Sequence, residues 1–233
     1  EISDQVSQIL INIRQVVSGD SQFDPATSKR ELKIGMLDYG MTHYAPEIAK
    51  ILSKEAPYVV MNCQQIRIES AIELMDRDGL DFALAPFGTL PERIQRKVLM
   101  REEYYVVARR NHPKLKNGLS VETYAALKHV YISSTSEIMD RVDHEFQNVG
   151  VTRKIGMSVP HYSAAMFAVA KSDFIAIIPK GPAELYQKFC GLDLYEPPIK
   201  LMPRVISVIH HQRRLNDPLI EWLWDKFDIF VRV

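Results

Sequence analysis

From Glu31 onward, short apolar runs alternate with amphipathic stretches, and they do so in two successive cycles. Nothing else in the sequence restricts the fold as much, because strands separated by helix-length segments pair in parallel and need helices over the faces of their sheet. In the first cycle ELKIGML reads as a strand, either with Leu32, Ile34 and Met36 on one face or fully buried with Gly35 inside. A helix is expected from Thr42 to Glu55, with Ile48, Ile51 and Leu52 on one face and Pro46 in its first turn, where proline is tolerated. YVVMNCQQI is a second strand, SAIELMDRDG a helix ending on Gly79, and DFALAP a third strand; the apolar runs RKVLM and YYVVARR follow. The second cycle runs HVYIS (strand), EIMDRVDHEFQNVG (helix, stopped by Gly150), VTRKIGMS (strand), HYSAAMFAVAKS (helix), FIAIIP (strand), PAELYQKFC (helix) and RVISVIHHQ (strand). Asn216-Asp217-Pro218 then offers a cap and a first-position proline to a last helix. Its apolar stripe comprises Leu219, Ile220, Leu223, Trp224, Phe227 and Val231. The expected class is α/β with parallel, doubly wound sheets, in two units of about 80 to 100 residues.

The segment before Glu31 is different. Ile2, Val6, Ile9, Ile13 and Val16 recur at steps of four, three, four and three, the spacing of a helix seam. A lone helix of this length is marginal in water and needs something to pack on. The polar, turn-rich linker GDSQFDPATSKR would hold it away from the body, which favours a partner helix from a second subunit. Residues 1–19 are therefore expected to form a dimerisation helix.

Composition narrows the function. The 29 basic and 29 acidic residues cancel, so the chain lacks the basic excess expected of a protein that grips duplex DNA unaided. Two distant cysteines, Cys63 and Cys190, make no disulfide framework and fit a reducing cytoplasm. No apolar run is long enough to span a membrane. Phosphate-loop, dinucleotide, nucleophile-elbow and zinc-protease motifs do not occur, so no cofactor, no metal and no catalytic residue is expected. His210 and His211 are adjacent in a strand and point to opposite faces, so they cannot share one metal ion.

The turns at the carboxyl ends of parallel strands hold the remaining chemistry, because ligands of open α/β sheets bind there, near helix N-termini. Four stand out: Leu37 to Thr42, Ala85 to Thr89, Ile132 to Ser136 and Ser158 to Ser163. They supply small or hydroxyl residues together with Tyr39, Phe87, His161 and Tyr162. Each Ser or Thr suits a helix cap equally well, and Asp38 reads also as the cap of its own helix. Four such turns, two from each unit, point to a cleft between the units.

FDPATSKRELKIGMLDYG, the RRNHP after a strand, DFIAIIPKGPAELY and SVIHHQRRLNDPLIEWLWDKF together resemble the effector-binding region of LysR-type transcriptional regulators. The FDPATS opening and the D-Y-G turn are similar to the nodulation and aromatic-catabolism branch of that family. The resemblance covers nearly the whole chain. It implies two Rossmann-like subdomains joined by two crossover strands, near Tyr104 to Arg109 and Val205 to His211, in a periplasmic-binding-protein type II-like fold preceded by a linker helix. Subdomain I is then residues 31–107 plus 209–233, and subdomain II residues 108–208. The resemblance also implies an effector held by Asp38, Tyr39, Thr42, Phe87, Gly88, Ser133, Pro160 and His161. It further implies a homo-oligomer, dimer or tetramer, paired through Ile2, Val6, Ile9, Ile13 and Val16. DNA would be contacted only through an N-terminal winged helix-turn-helix that these residues lack. Many family members with acidic effectors carry Ser or Thr where this sequence has Asp38, and a carboxylate there opposes an anion. A neutral or aromatic effector is expected instead. The alternative function is a solute-binding protein of a transport system, against which the seam helix speaks. An enzyme is the third reading, with Asp38 and His161 as its sole acid–base candidates.

Overall fold

The computed structural model describes Val6, Leu10 and residues 23–133 and 141–231. In chain order these residues form β1 (Glu31–Met36), α1 (Asp38–Glu55), β2 (Val60–Gln65), a 3-10 turn (Ile68–Ser70), α2 (Ala71–Asp76), β3 (Phe82–Ala85) and β4 (Ile94–Glu102). There follow β5 (Tyr104–Arg109), α3 (Val121–Ala126), β6 (Lys128–Ile132), α4 (Arg141–Gln147), β7 (Lys154–Val159), α5 (Tyr162–Ala170), β8 (Ala176–Pro179), α6 (Lys180–Cys190) and β9 (Leu192–Tyr195). β10 (Arg204–His211) and α7 (Pro218–Lys226), with 3-10 turns at Gln212–Arg214 and Phe227–Phe230, complete the chain. Two compact units result: Glu1–Met100 with Val205–Val233, and Arg101–Arg204. The chain thus changes unit within β4 and at the start of β10, a few residues earlier than the expected divisions after 107 and 208.

Unit 1 is built on a five-stranded sheet in the order β2-β1-β3-β10-β4. β1 pairs in parallel with both β2 and β3, whereas β10 runs antiparallel to β3. Leu32, Ile34 and Met36 are fully buried and Gly35 lies inside, as the buried-strand alternative required. A Cβ at Gly35 would stand 2.8 Å from Ile66 Cγ2 and 2.9 Å from Leu80 Cδ1, so the neighbours close over bare backbone. Phe82 packs against Phe227 (centroids 5.2 Å apart) and is stacked on Trp224 at 6.4 Å, which seats α7 and the turn after it on the sheet. Asp217 caps α7 through Leu219 N–H (3.1 Å) and takes both Arg30 Nη atoms at 2.5 Å, tying the lead-in to β1 to the last helix. Burial pushes the Asp217 carboxyl up, but Arg30 and Arg214 overcome it and hold the group below its ordinary range.

In unit 2, β5 is central to a three-stranded sheet, β8-β5-β9, and antiparallel to both neighbours. β6 and β7 pair in parallel, and a parallel bridge between His129 and Ile175 brings β6 alongside the start of β8. Val106 and Ala108 pack with Tyr124 and Phe146 on one face of β5, while Val107 packs with Met166 and Val169 on the other. The expectation of purely parallel sheets is therefore corrected. A parallel neighbour needs a crossover helix between the two strands. β5, which arrives from the other unit, pairs antiparallel with both its neighbours, and β10, arriving likewise, pairs antiparallel with β3.

Two further sequence expectations change. The first helix begins at Asp38, not Thr42, and Pro46 lies inside it rather than in its first turn. In the last crossover strand His210 packs its ring on Trp224 (4.5 Å) while His211 turns to Asp76 (3.4 Å), the two faces that strand geometry assigns them. Of the dimerisation residues, Val6 is described, and it is helical and exposed, as is Leu10; Ile2, Ile9, Ile13 and Val16 lie outside the described residues.

Candidate functional site

β1 delivers the chain straight into α1. Leu37 occupies the cap position in extended conformation and offers no side-chain acceptor to the first-turn N–H groups, a condition in which a ligand can take that role. Asp38 is the first residue of the helix rather than its cap, where a carboxylate complements the positive end of the helix dipole. Gly40 seats this turn on the strand, since a Cβ there would lie 3.0 Å from Met36 Cβ. Tyr39 is buried, its ring stacked on His43 at 5.0 Å and edge-on to Tyr44 at 6.2 Å. Thr42 is exposed, and its hydroxyl donates to Tyr39 O at 3.0 Å.

The turn after β3 abuts the turn after β1, because Met36 and Leu84 are register partners. Phe87 is buried in a cluster with Ile66, Ile94, Leu37, Ile68 and Leu90, so its ring shapes the turn from beneath while Gly88 has open space around it. Arg96 on β4 donates through Nη2 to Phe87 O at 3.1 Å and also to Gly88 O. This clamp was not visible in the sequence, where Arg96 simply opens an apolar run. The end of β2 joins the same edge, with Ile66 N–H bonded to Met36 O at 3.1 Å. Unit 1 thus gathers Asp38, Tyr39, Thr42, Phe87 and Gly88 on the ends of neighbouring strands.

Unit 2 gathers the other three. Ile132 and Val159 are register partners, and Ser133 N–H donates to Val159 O at 3.0 Å, so the ends of β6 and β7 are fastened together. Pro160 is exposed beside them, and His161 holds the cap position of α5 without capping it through its side chain. Residues 134–136 of the third turn lie outside the described residues.

Buried charge supports these turns. Arg153 meets Asp143 on α4 through two bonds of 2.5 Å and lies 5.2 Å over the ring of Tyr131, one strand position before Ile132. Arg204 donates to Glu102 at 2.8 Å, joining the first residue of β10 to the last of β4. Burial works against the Arg204 cation, but Tyr162 and Glu102 more than offset it and hold the charge. Burial pushes His129 and His210 down to about 4, so both rings are neutral near pH 7. Among the described residues no three His, Cys, Asp or Glu are placed to hold a metal ion, and no helix is long and apolar enough to cross a membrane.

Residues 25–228 match the model of the LysR substrate binding domain. The chain belongs to that family. It is 24% identical over 230 residues to the transcriptional activator NahR of Pseudomonas putida, a match covering 98% of this chain and 77% of NahR. The activator NagR of a Ralstonia species is 25% identical over 226 residues, covering 97% and 75%. Among solved structures, the regulatory domain of MexT, a transcriptional activator in Pseudomonas aeruginosa, superposes with a TM-score of 0.77 at 23% identity, covering 88% of this chain and all of that one. The effector-binding domain of QuiR in complex with shikimate gives 0.67 at 20% identity, covering 88% and 96%. The LysR effector-binding fold is the periplasmic-binding-protein type II-like arrangement that the sequence implied.

Proposed function

We propose that this chain is the ligand-sensing and subunit-pairing part of a LysR-type transcription regulator, acting in the cytoplasm and performing no catalytic step. The observation that carries the reading is the family match over residues 25–228 together with strand-end turns whose helices lack side-chain caps at Leu37 and His161. The effector is a small neutral or aromatic molecule, held through Asp38, Tyr39, Thr42, Phe87, Gly88, Ser133, Pro160 and His161, because the Asp38 carboxylate opposes an anion at the first turn. Such a ligand acts by binding one arrangement of the paired subunits more tightly than another, since equal affinity shifts nothing. DNA contact belongs to a winged helix-turn-helix outside these 233 residues, whose own net charge is zero. The alternative of a transport solute-binding protein is set aside by the family match.

A melting-shift screen of neutral and aromatic metabolites tests the reading. A ligand at about 100 times its dissociation constant stabilises by roughly 2.7 kcal/mol. Thr42→Val and His161→Ala should each weaken binding of the hit while leaving the ligand-free melting temperature nearly unchanged. Normal binding by both variants would remove the site assignment.

A further inference from the structure

Residues 196–203 of unit 2, Glu-Pro-Pro-Ile-Lys-Leu-Met-Pro, run from β9 to β10 as a strap. Between the strap and the start of β5 lies a cleft of about 460 Å³, lined by Tyr104, Tyr105 and the proline and aliphatic side chains of the strap. That volume is within the range of small-molecule sites. The strap is pinned rather than loose. Met202 O accepts from Arg141 Nη2 at 2.7 Å, Met202 N–H donates to Glu145 at 2.8 Å, and its prolines restrict the backbone further.

The charges at this cleft are unequal. Among the described lining residues, Glu103 and Glu196 stand against the single cation Lys200. The two arginines nearby bring their own counter-ions: Arg141 meets Glu145 at 3.3 Å and Arg204 meets Glu102 at 2.8 Å. Tyr104 already receives a cation within the fold, for the Arg141 guanidinium stands 5.9 Å over its ring. We propose that this cleft is a second small-molecule site, for an organic cation: an ammonium group carried on an apolar or aromatic body. The ammonium lies with Glu103 and Glu196, and the body rests on the tyrosines and the proline-rich wall, where aromatic faces attract cations. An organic acid of the same shape meets two carboxylates for one lysine. None of the lining residues belongs to the effector turns, so this site stands or falls independently of the effector reading.

The test is an amide-resolved NMR titration of the whole chain with three probes that share a ring and differ in charge: benzylammonium, benzyl alcohol and benzoate. Benzylammonium should shift the amides of residues 103–105, Glu196 and 199–202 and saturate, about tenfold more tightly than benzyl alcohol. Benzoate should leave them unmoved. The double variant Glu103→Gln with Glu196→Gln, which keeps side-chain shape, should weaken benzylammonium about tenfold while the melting temperature holds. The proposal is overturned if those amides do not respond to benzylammonium, if benzoate or benzyl alcohol shifts them as strongly, or if the double variant binds benzylammonium unchanged.

Discussion

His210 gives unit 1 an acid sensitivity that can be worked out and measured. Its ring is buried against Phe82 and Trp224. Burial lowers its pKa from 6.5 to about 4. The fold therefore favours the neutral ring, so the stability it contributes is present above pH 6.5 and is lost as pH falls towards 4. At pH 5 the loss is about 2 kcal/mol, and it approaches roughly 3 kcal/mol below pH 4. Asp76, held low by Arg93, and Asp217, where Arg30 overcomes burial, lose their contributions only below the ordinary carboxylate range, outside this window. The only two tryptophans, Trp222 and Trp224, both belong to unit 1, so fluorescence-detected urea unfolding reads that unit. His210→Phe should fit beside Phe82 and Trp224 at a cost of about 1 kcal/mol or less. Between pH 7 and pH 5 the wild-type chain should lose about 2 kcal/mol more than the variant. A difference below about 0.5 kcal/mol would refute the claim that burial, which outweighs the opposing backbone hydrogen bond at His211, sets this titration.

Arg204→Met should destabilise unit 2 by about 3–5 kcal/mol, because Glu102 is left buried without its partner. Adding Glu102→Leu should restore most of that, both changes read by circular dichroism during urea unfolding. Gly35→Ala should destabilise unit 1 by about 1–3 kcal/mol, since Ile66 and Leu80 leave no room for a methyl group, as tryptophan fluorescence will report. Deleting residues 1–19 should lower the sedimentation mass of the assembly while the melting of the body is retained; an unchanged mass refutes pairing through that segment.

What the sequence disclosed follows from what periodicity can encode. Strands β1, β3, β6 and β10 and the Asp217-Pro218 start of α7 were legible because each has a local signature: a short apolar run, β-branched in β6 and β10, or a cap before a proline. The first four residues of α1 were read as the turn that ends β1, whereas the helix already begins at Asp38 and Gly40 packs closely on Met36. The four-residue β9 is too short to show a period, and α3, capped by Ser120, passed unread for the same reason. The partners Glu102 and Arg204 are 102 residues apart, and nothing local in either neighbourhood announces the other. The candidate turns were visible as positions where strands end. That Tyr39 and Phe87 turn their rings into the core, and that Arg96 reaches Phe87 and Gly88, depends on packing that no spacing rule encodes.

The strand order β2-β1-β3-β10-β4 sets a schedule for synthesis. β10, the strand that fills the gap between β3 and β4, leaves the ribosome roughly 100 residues after β4, some 5 to 20 seconds later at ordinary elongation rates. Throughout that interval β3 has an unsatisfied edge and β4 has no strand partner, the kind of template on which neighbouring chains aggregate. Unit 2, one uninterrupted stretch, is nearly complete when β10 emerges, and Arg204, the first residue of that strand, can then meet Glu102 at its base. A chain cut after Arg204 should thus carry a soluble second unit joined to an aggregation-prone first one, so residues 82–102 need shielding until β10 has emerged.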